Sequence, residues 1–269
     1  MTAPQPATSS KWEDLKTRTL SALLMIVVGA FDIWLGGVWF LALIALVCGL
    51  MIWELVRMLE PEKVMLARAL GALAVVSVAV AVMVPVLGDV LALAAPIVAG
   101  ALLISTHRKV FVLYAPVIML ASYALVTARA LEDGITWLVW LVLVVVITDI
   151  AGYFAGRMFG GPKFWPSISP KKTWSGTVAG WIGAGLLGLA FMSVTGVGPI
   201  LVLVSMVTSF ASQMGDIAES AIKRRVGVKD SSRLIPGHGG VLDRFDGLIG
   251  ASLLVLIVLV ISGQVPVQL

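Results

Sequence analysis

Residues 137–147 read Trp-Leu-Val-Trp-Leu-Val-Leu-Val-Val-Val-Ile, an apolar run with no polar interruption. A strand buried on one face alternates apolar and polar residues, and a transmembrane barrel strand does so over about 10 positions. Nothing alternates here or at 253–261, which argues against a β-barrel. A helix needs ~20 apolar residues, with a range of ~17–25, to cross the ~30 Å core of a bilayer. Extended on both sides, the run becomes a span near 135–157. Eight more lie near 19–36, 38–56, 67–87, 90–106, 110–129, 175–195, 198–217 and 246–263, the fourth being marginal.

Composition agrees. Of 269 residues, 59% are apolar and 13% charged, with a mean hydropathy of +1.04. A soluble domain carries roughly 25% charged residues, so this chain lacks the polar surface to cover a water-soluble globule. The 27 glycines suit close helix packing in lipid. Cys48, set among Leu46, Val47, Gly49 and Leu50, reads as a packing residue and says nothing about redox compartment. A polar start with Lys11, Lys16 and Arg18 precedes the first apolar run, an order shared with signal peptides. The run is too long and lacks a small-residue cleavage pattern, so it reads as a span with its tail, 1–18, retained.

Cytoplasmic loops are enriched in Lys and Arg. Here the N-terminal flank holds Lys11, Lys16 and Arg18, and the loop after the second span holds Arg57, Lys63 and Arg68. Arg108 and Lys109 follow the fourth span; Arg157, Lys163, Lys171 and Lys172 follow the sixth; Lys223, Arg224, Arg225, Lys229, Arg233 and Arg244 follow the eighth. The opposite loops hold only Arg129 among the 19 basic residues. An all-α, polytopic protein of about nine spans is expected, N-terminus cytoplasmic and C-terminus outside. Two long polar loops, 158–174 and 218–245, then face the cytoplasm and belong to a catalytic region, 134–269. Residues 19–133, with few buried polar groups beyond Asp32 and Glu54, read as scaffold and dimer contact.

Gly183-Ala-Gly185-Leu-Leu-Gly188 matches G-x-G-x-x-G but has no preceding strand, so it is no dinucleotide site. Gly152/Gly156 and Gly176/Gly180 have a spacing that suits close helix contact.

The informative stretch is 212–246. At 100° per residue, Ser212, Asp216, Glu219 and Lys223 fall in a stripe about 60° wide on one helix. Acids within a span face a hydrated cavity more readily than lipid. The plainer alternative is a Glu219–Lys223 pair on a solvated helix end, worth only ~0.2–0.5 kcal/mol. The loop Pro236-Gly237-His238-Gly239-Gly240 offers backbone N–H groups to an anion just before the ninth helix. Asp243 and Asp246 share that helix start, where they either favour the helix dipole or, with phosphate nearby, require a bridging divalent cation. Lys223, Arg224, Lys229, Arg233 and Arg244 supply charge for phosphate oxygens. His238 is read as a phosphate contact, with a turn role or a general acid as alternatives. A second cluster comprises Asp149, Gly152, Tyr153 and Gly156 on one face, with Lys171 and Lys172 nearby. These lysines suit a headgroup or nucleotide phosphate, anionic-lipid anchoring being the alternative.

The pattern Ser220-x-x-Lys223-Arg224-x₄-Lys229-Asp230, then Pro236-Gly-His-Gly-Gly240, then Asp243-Arg244-x-Asp246, resembles the signature of the phosphatidate cytidylyltransferase (CDP-diglyceride synthase) family. Ser169-Pro-Lys-Lys-Thr173 is similar to a second family segment, so the resemblance covers roughly 145–250. Ser175 departs from the Glu common in the family there. The resemblance implies conversion of CTP and phosphatidic acid to CDP-diacylglycerol and pyrophosphate in the inner (cytoplasmic) membrane, with Mg²⁺ and with a second cation such as K⁺ as an open addition. It implies a homodimer and no nucleic-acid partner, and maps the metal-binding acids onto Asp216 and Asp243. Asp246 and Asp149 are then supporting or second-metal acids, and Lys223 and Arg244 catalytic contacts. Lys171, Lys172, Ser220, Arg224, Lys229, Gly237, His238, Gly239 and Gly240 are substrate-binding residues. A CTP-dependent polyprenol or phytol kinase and an ion-coupled transporter are the competing readings.

Overall fold

The computed structural model describes residues 11–84 and 88–263, apart from the side chains at 11–14 and 88–89. Of the expected tail, 1–18, positions 1–10 lie outside that range, as do the last six positions, and 11–18 form the start of the first helix. Nine helices occur among the described residues: α1 Lys11–Leu35, α2 Gly37–Leu59, α3 Val64–Met83, α4 Gly88–Leu103, α5 Arg108–Ala130, α6 Gly134–Phe159, α7 Trp174–Thr195, α8 Ile200–Val226 and α9 Leu242–Ile261. Eight are long and apolar enough to cross a bilayer, and α4 is the short one. The protein is a multi-pass, all-α membrane protein.

At 1.5 Å per residue the 16 residues of α4 reach only about 24 Å. Two polar turns nevertheless bring the end of α4 back beside the start of α3. Glu60, after α2, accepts hydrogen bonds from the Ser105 and Thr106 backbone N–H groups at 2.7 and 2.6 Å, and Lys63 donates to the Leu103 carbonyl at 3.2 Å. The α2–α3 and α4–α5 turns therefore sit at one end of the bundle. Ser21 of α1 reaches the loop before α9, and Arg224 of α8 reaches the segment between α6 and α7. The five base-rich segments thus gather at one end. At the other, Arg129 of α5 donates to the Ile33 and Trp34 carbonyls at 2.7 and 3.3 Å. It caps the last turn of α1, where carbonyls have no partner within the helix.

The apolar core lies mainly among α2, α3, α5 and α9, where Ile52, Leu55, Val56, Phe111, Ile118 and Met119 are fully buried. Lone Cys48 is buried there too, beside Met119 Sδ at 3.5 Å. The spanning part of α1 has no buried side chain. A second group forms from α6, α7, α8 and α9. Here glycines bring backbones together: a Cβ on Gly176 would lie 2.5 Å from the Gly152 carbonyl oxygen, and one on Gly250 would lie 2.9 Å from the Gly215 nitrogen. Gly188, the last residue of the G-x-G-x-x-G match, likewise packs against Ser205 and Leu201.

Two local differences from the sequence reading matter. The segment 158–174 is more than a polar loop, because it folds into an antiparallel hairpin, β1 Lys163–Trp165 with β2 Ser169–Thr173. Pro166, Ser167 and Ile168 make the turn, and Phe164 packs edge-on against Trp174 at 4.7 Å between ring centres. Such a short hairpin, partly apolar in sequence, is stabilised by its neighbours rather than by propensity. In addition, α8 runs on to Val226 and α9 starts at Leu242, so most of the acids and bases expected in loop 218–245 lie on helices.

Candidate active site

The inner face of α8 carries a line of small and polar residues. Ser205, Ser209, Ser212, Gln213 and Glu219 are all buried. Polar groups buried at this depth find one another: the Thr148 hydroxyl of α6 meets Ser209 Oγ at 2.7 Å, and Trp181 Nε1 of α7 donates to Gln213 Oε1 at 3.0 Å. This line leads from the middle of the bundle to its base-rich end, where it divides into two polar centres.

The first lies between α6, α7, α8 and the hairpin. It is a cavity of about 350 Å³ whose walls include Asp149, Tyr153, Arg157, Lys171, Lys172 and Gln213. Lys172 Nζ meets Asp216 Oδ2 of α8 at 2.5 Å, and the Ser220 hydroxyl donates to Asp216 Oδ1 at 3.2 Å. Arg157 donates to the Tyr153 hydroxyl at 2.9 Å. Thr173 caps α7 by accepting from the Gly176 N–H at 3.2 Å, which fixes where the hairpin lysines enter. Ser175, at the position that departs from the family pattern, donates to the Gly160 carbonyl at 2.5 Å.

The second lies between α8, the following loop and the start of α9. Lys223 Nζ bridges Glu219 Oε2 at 2.6 Å and Asp243 Oδ1 at 2.7 Å. Glu219 is fully buried, so the i,i+4 pair is internal and the solvated helix end considered above is not what forms. Asp243 Oδ2 accepts from the Ser231 N–H, the Ser231 hydroxyl and the Gly240 N–H at 2.9, 3.0 and 2.8 Å. Three of the four hydrogen bonds to Asp243 fall on Oδ2, so Oδ1, which among the described residues meets Lys223 alone, keeps a lone-pair direction open. The Gly-rich loop is tied by an isolated bridge between Ile235 and Gly239, and Gly237 and Gly239 take positive φ of 76° and 83°. Side chains other than glycine rarely adopt such angles, which accounts for glycine at both positions. His238 Nδ1 lies 2.8 Å from Ser21 Oγ of α1, so its ring is held from outside the expected catalytic half.

Asp246 of α9 joins the centres electrostatically, since it lies within charge–charge reach of Asp216, Asp149 and Lys223. Arg244, exposed, is within reach of Asp149. Lys171 and Lys229 are exposed, and Arg224 points to the hairpin turn, 3.5 Å from the Ile168 carbonyl. Sequence reasoning missed the polar walls supplied by Gln213 and Thr177 and the loop serines Ser231 and Ser232. It also read Glu54 as scaffold, whereas Glu54 bonds to the loop beside Asp243. The one carboxylate of α2, whose only other charged residue is Arg57, was the available signal, and its partner lies about 180 positions away.

The donor chemistry suits a hard divalent cation. Asp149, Asp216, Asp243 and Asp246 offer carboxylate oxygens, the ligands Mg²⁺ prefers. Among the described residues no three His, Cys, Asp or Glu side chains already converge as a metal cage.

A helical membrane bundle with acids, lysines and a Gly-rich loop at one end describes an integral-membrane nucleotidyltransferase. The profile described as the cytidylyltransferase family matches residues 16–262, and the chain belongs to that family. It is similar to the phosphatidate cytidylyltransferase of Brucella suis biovar 1 (strain 1330), 36% identical over 250 residues that cover 90% of this chain and 92% of that protein. The protein of the same name from Brucella abortus biovar 1 (strain 9-941) is 35% identical over the same shares. That of Staphylococcus haemolyticus (strain JCSC1435) is 42% identical over 118 residues, 43% of this chain and 45% of that protein.

Proposed function

We propose that the protein transfers the cytidylyl group of CTP to phosphatidic acid, releasing pyrophosphate and forming CDP-diacylglycerol, at the cytoplasmic face of the inner membrane. A phosphatidate oxygen bonds to the α-phosphorus of CTP while the bond from that phosphorus to the oxygen bridging to the β-phosphate breaks. That oxygen leaves with pyrophosphate. Such a step needs positioning and positive charge more than covalent help from the protein. The observation that carries the reading is the Lys172–Asp216 pair, whose lysine lines the cavity between α6, α7, α8 and the hairpin, because it sets a base and an acid where a phosphate and its counterion would both be bound.

Beside Tyr153 of the cavity wall, itself exposed, α6 presents exposed Ile150 and Phe154. A lipid phosphate can approach Lys171 and Lys172 from that side while its acyl chains remain in hydrocarbon. Lys223 and Arg244 neutralise the triphosphate from the α8–α9 side, and the N–H groups of the Gly-rich loop orient it. Asp216 and Asp243 would hold Mg²⁺, with Asp246 and Asp149 in support, and the ion would draw off charge developing on the phosphate oxygens. A second cation such as K⁺ and pairing into a homodimer belong to the same reading.

The test uses detergent-purified protein with phosphatidic acid, Mg²⁺ and CTP labelled in either the α- or the γ-phosphate. Label from the α-phosphate should enter the lipid phase. With a polyprenol supplied in a parallel mixture, lipid labelled from the γ-phosphate would identify a kinase instead, and unlabelled lipid in the α-phosphate arm with phosphatidic acid would refute the cytidylyl transfer.

A further inference from the structure

Glu54 is fully buried near the C-terminal end of α2, in the half of the chain outside the signature, and no Lys or Arg pairs with it among the described residues. A buried carboxylate without a cation is costly unless hydrogen bonds satisfy it. Four do. Oε1 accepts from the Ser232 hydroxyl at 2.6 Å and the Val241 N–H at 2.9 Å, and Oε2 accepts from the Ser231 hydroxyl at 3.1 Å and the Leu242 N–H at 2.7 Å.

These donors belong to the loop before α9 and to the first turn of that helix. Val241, the N-cap residue, makes no side-chain cap of its own. Glu54 therefore performs from α2 what a local Ser or Asp does elsewhere: it satisfies orphan N–H groups at a helix start, where the dipole also favours negative charge. The single Ser231 hydroxyl proton lies within hydrogen-bond reach of both Glu54 and Asp243, so the two carboxylates share one donor. Gly240 lies against them, and a Cβ there would come within 2.5 Å of Glu54 Oε1. The last glycine of the Gly-rich loop is thus needed for the approach of Glu54, since its φ is not in the left-handed region.

We propose that Glu54 is a positioning residue for nucleotide binding: it clamps loop 231–242, and through Ser231 and Gly240 it sets Asp243 and the phosphate-facing backbone in place. This rests on the reading of the Gly-rich loop as the CTP phosphate cradle. Glutamine keeps the size but turns an NH₂ group toward N–H and O–H donors. Groups behind a first ligand shell typically alter affinity or activity by about 10–100-fold when removed.

The experiment is calorimetric titration of detergent-purified full-length wild type, Glu54→Gln, Glu54→Asp and Ser232→Ala with CTP and Mg²⁺, without phosphatidate. Glu54→Gln should weaken binding by about 10–100-fold, Ser232→Ala should weaken it less, and Glu54→Asp should recover part of the loss, all at full stoichiometry. Reduced stoichiometry with an unchanged dissociation constant would assign Glu54 to folding alone and overturn the proposal. So would wild-type affinity in Glu54→Gln. Should Glu54→Gln not fold, Ser232→Ala decides, because wild-type affinity in that variant overturns the clamp. Wild type that binds no CTP refutes the reading of the loop, and the proposal with it.

Discussion

Lys172 and Lys223 each sit on one of the two acids assigned to Mg²⁺, yet their surroundings differ. The side chains of Lys172 and Asp216 remain 24% and 31% exposed, whereas those of Lys223, Glu219 and Asp243 are 13%, 0% and 4% exposed. A partly hydrated pair contributes about 1 kcal/mol or less to stability. Removing the cation from a buried cluster leaves uncompensated charge and costs about 3–5 kcal/mol. Lys172→Met should therefore unfold nearly as wild type does while losing about 10²–10³ in kcat, the cost of removing one electrostatic contact to a transition state. Lys223→Met should be markedly destabilised as well as inactive. Thermal unfolding in detergent and turnover of labelled CTP measure the two quantities, and normal turnover by Lys172→Met would remove that lysine from the site. The stripe Ser212, Asp216, Glu219 and Lys223 was readable in the sequence because helical periodicity alone places side chains on a face. The Glu219–Lys223 contact was readable from the same spacing, but the Lys172–Asp216 and Lys223–Asp243 pairs were not, since Lys172 arrives from the hairpin and Asp243 from another helix.

At the scale of elements, α8 and α9 cross where Gly215 and Gly250 let their backbones touch. A methyl on Gly250 would press on the Ala211 carbonyl and the Gly215 nitrogen. Overpacking of this kind costs typically 1–3 kcal/mol. Gly250→Ala should lower stability by about that amount, and it should lower turnover further by shifting Asp216 relative to Asp246. Wild-type melting of this variant would show the contact to be compliant. The turn after α2 makes a prediction about pH. Burial pushes the Glu60 carboxyl up from 4.5, but hydrogen bonds from the Thr106 N–H, the Ser105 hydroxyl and N–H, and Lys63 outweigh it and hold it at about 2. A depressed folded-state value stabilises the protein fully above the unfolded value and loses that stabilisation as pH falls toward the folded one. The melting difference between wild type and Glu60→Gln should thus shrink from pH 5 to pH 2, and a constant difference would contradict the clamp. Neither the glycine crossing nor this clasp was visible beforehand, because each joins segments that periodicity treats separately. The hairpin escaped for a similar reason: its strands are too short to show a period of two.

Across the whole molecule, the base-rich segments share one end and Arg129 marks the other. With the base-rich end cytoplasmic, a reporter joined to the C-terminus should be active only outside, and a cytoplasmic signal would invert the arrangement. Arg129 is a basic residue away from that end because it caps α1, so it needs no reading as a topological signal. What the sequence by itself determined was the solvent: long apolar runs cannot be covered by water-facing residues, and in hydrocarbon a helix satisfies its own backbone. The spans, their alternation and the acids and bases of 212–246 follow from that constraint, because it acts within each segment. Only the tertiary structure decided that the α2–α3 and α4–α5 turns meet at one end, that Lys223 joins Glu219 to Asp243, and that Glu54 caps α9. Those outcomes depend on where different helices meet, and a buried charge is satisfied by donors near in space, however distant they are along the chain.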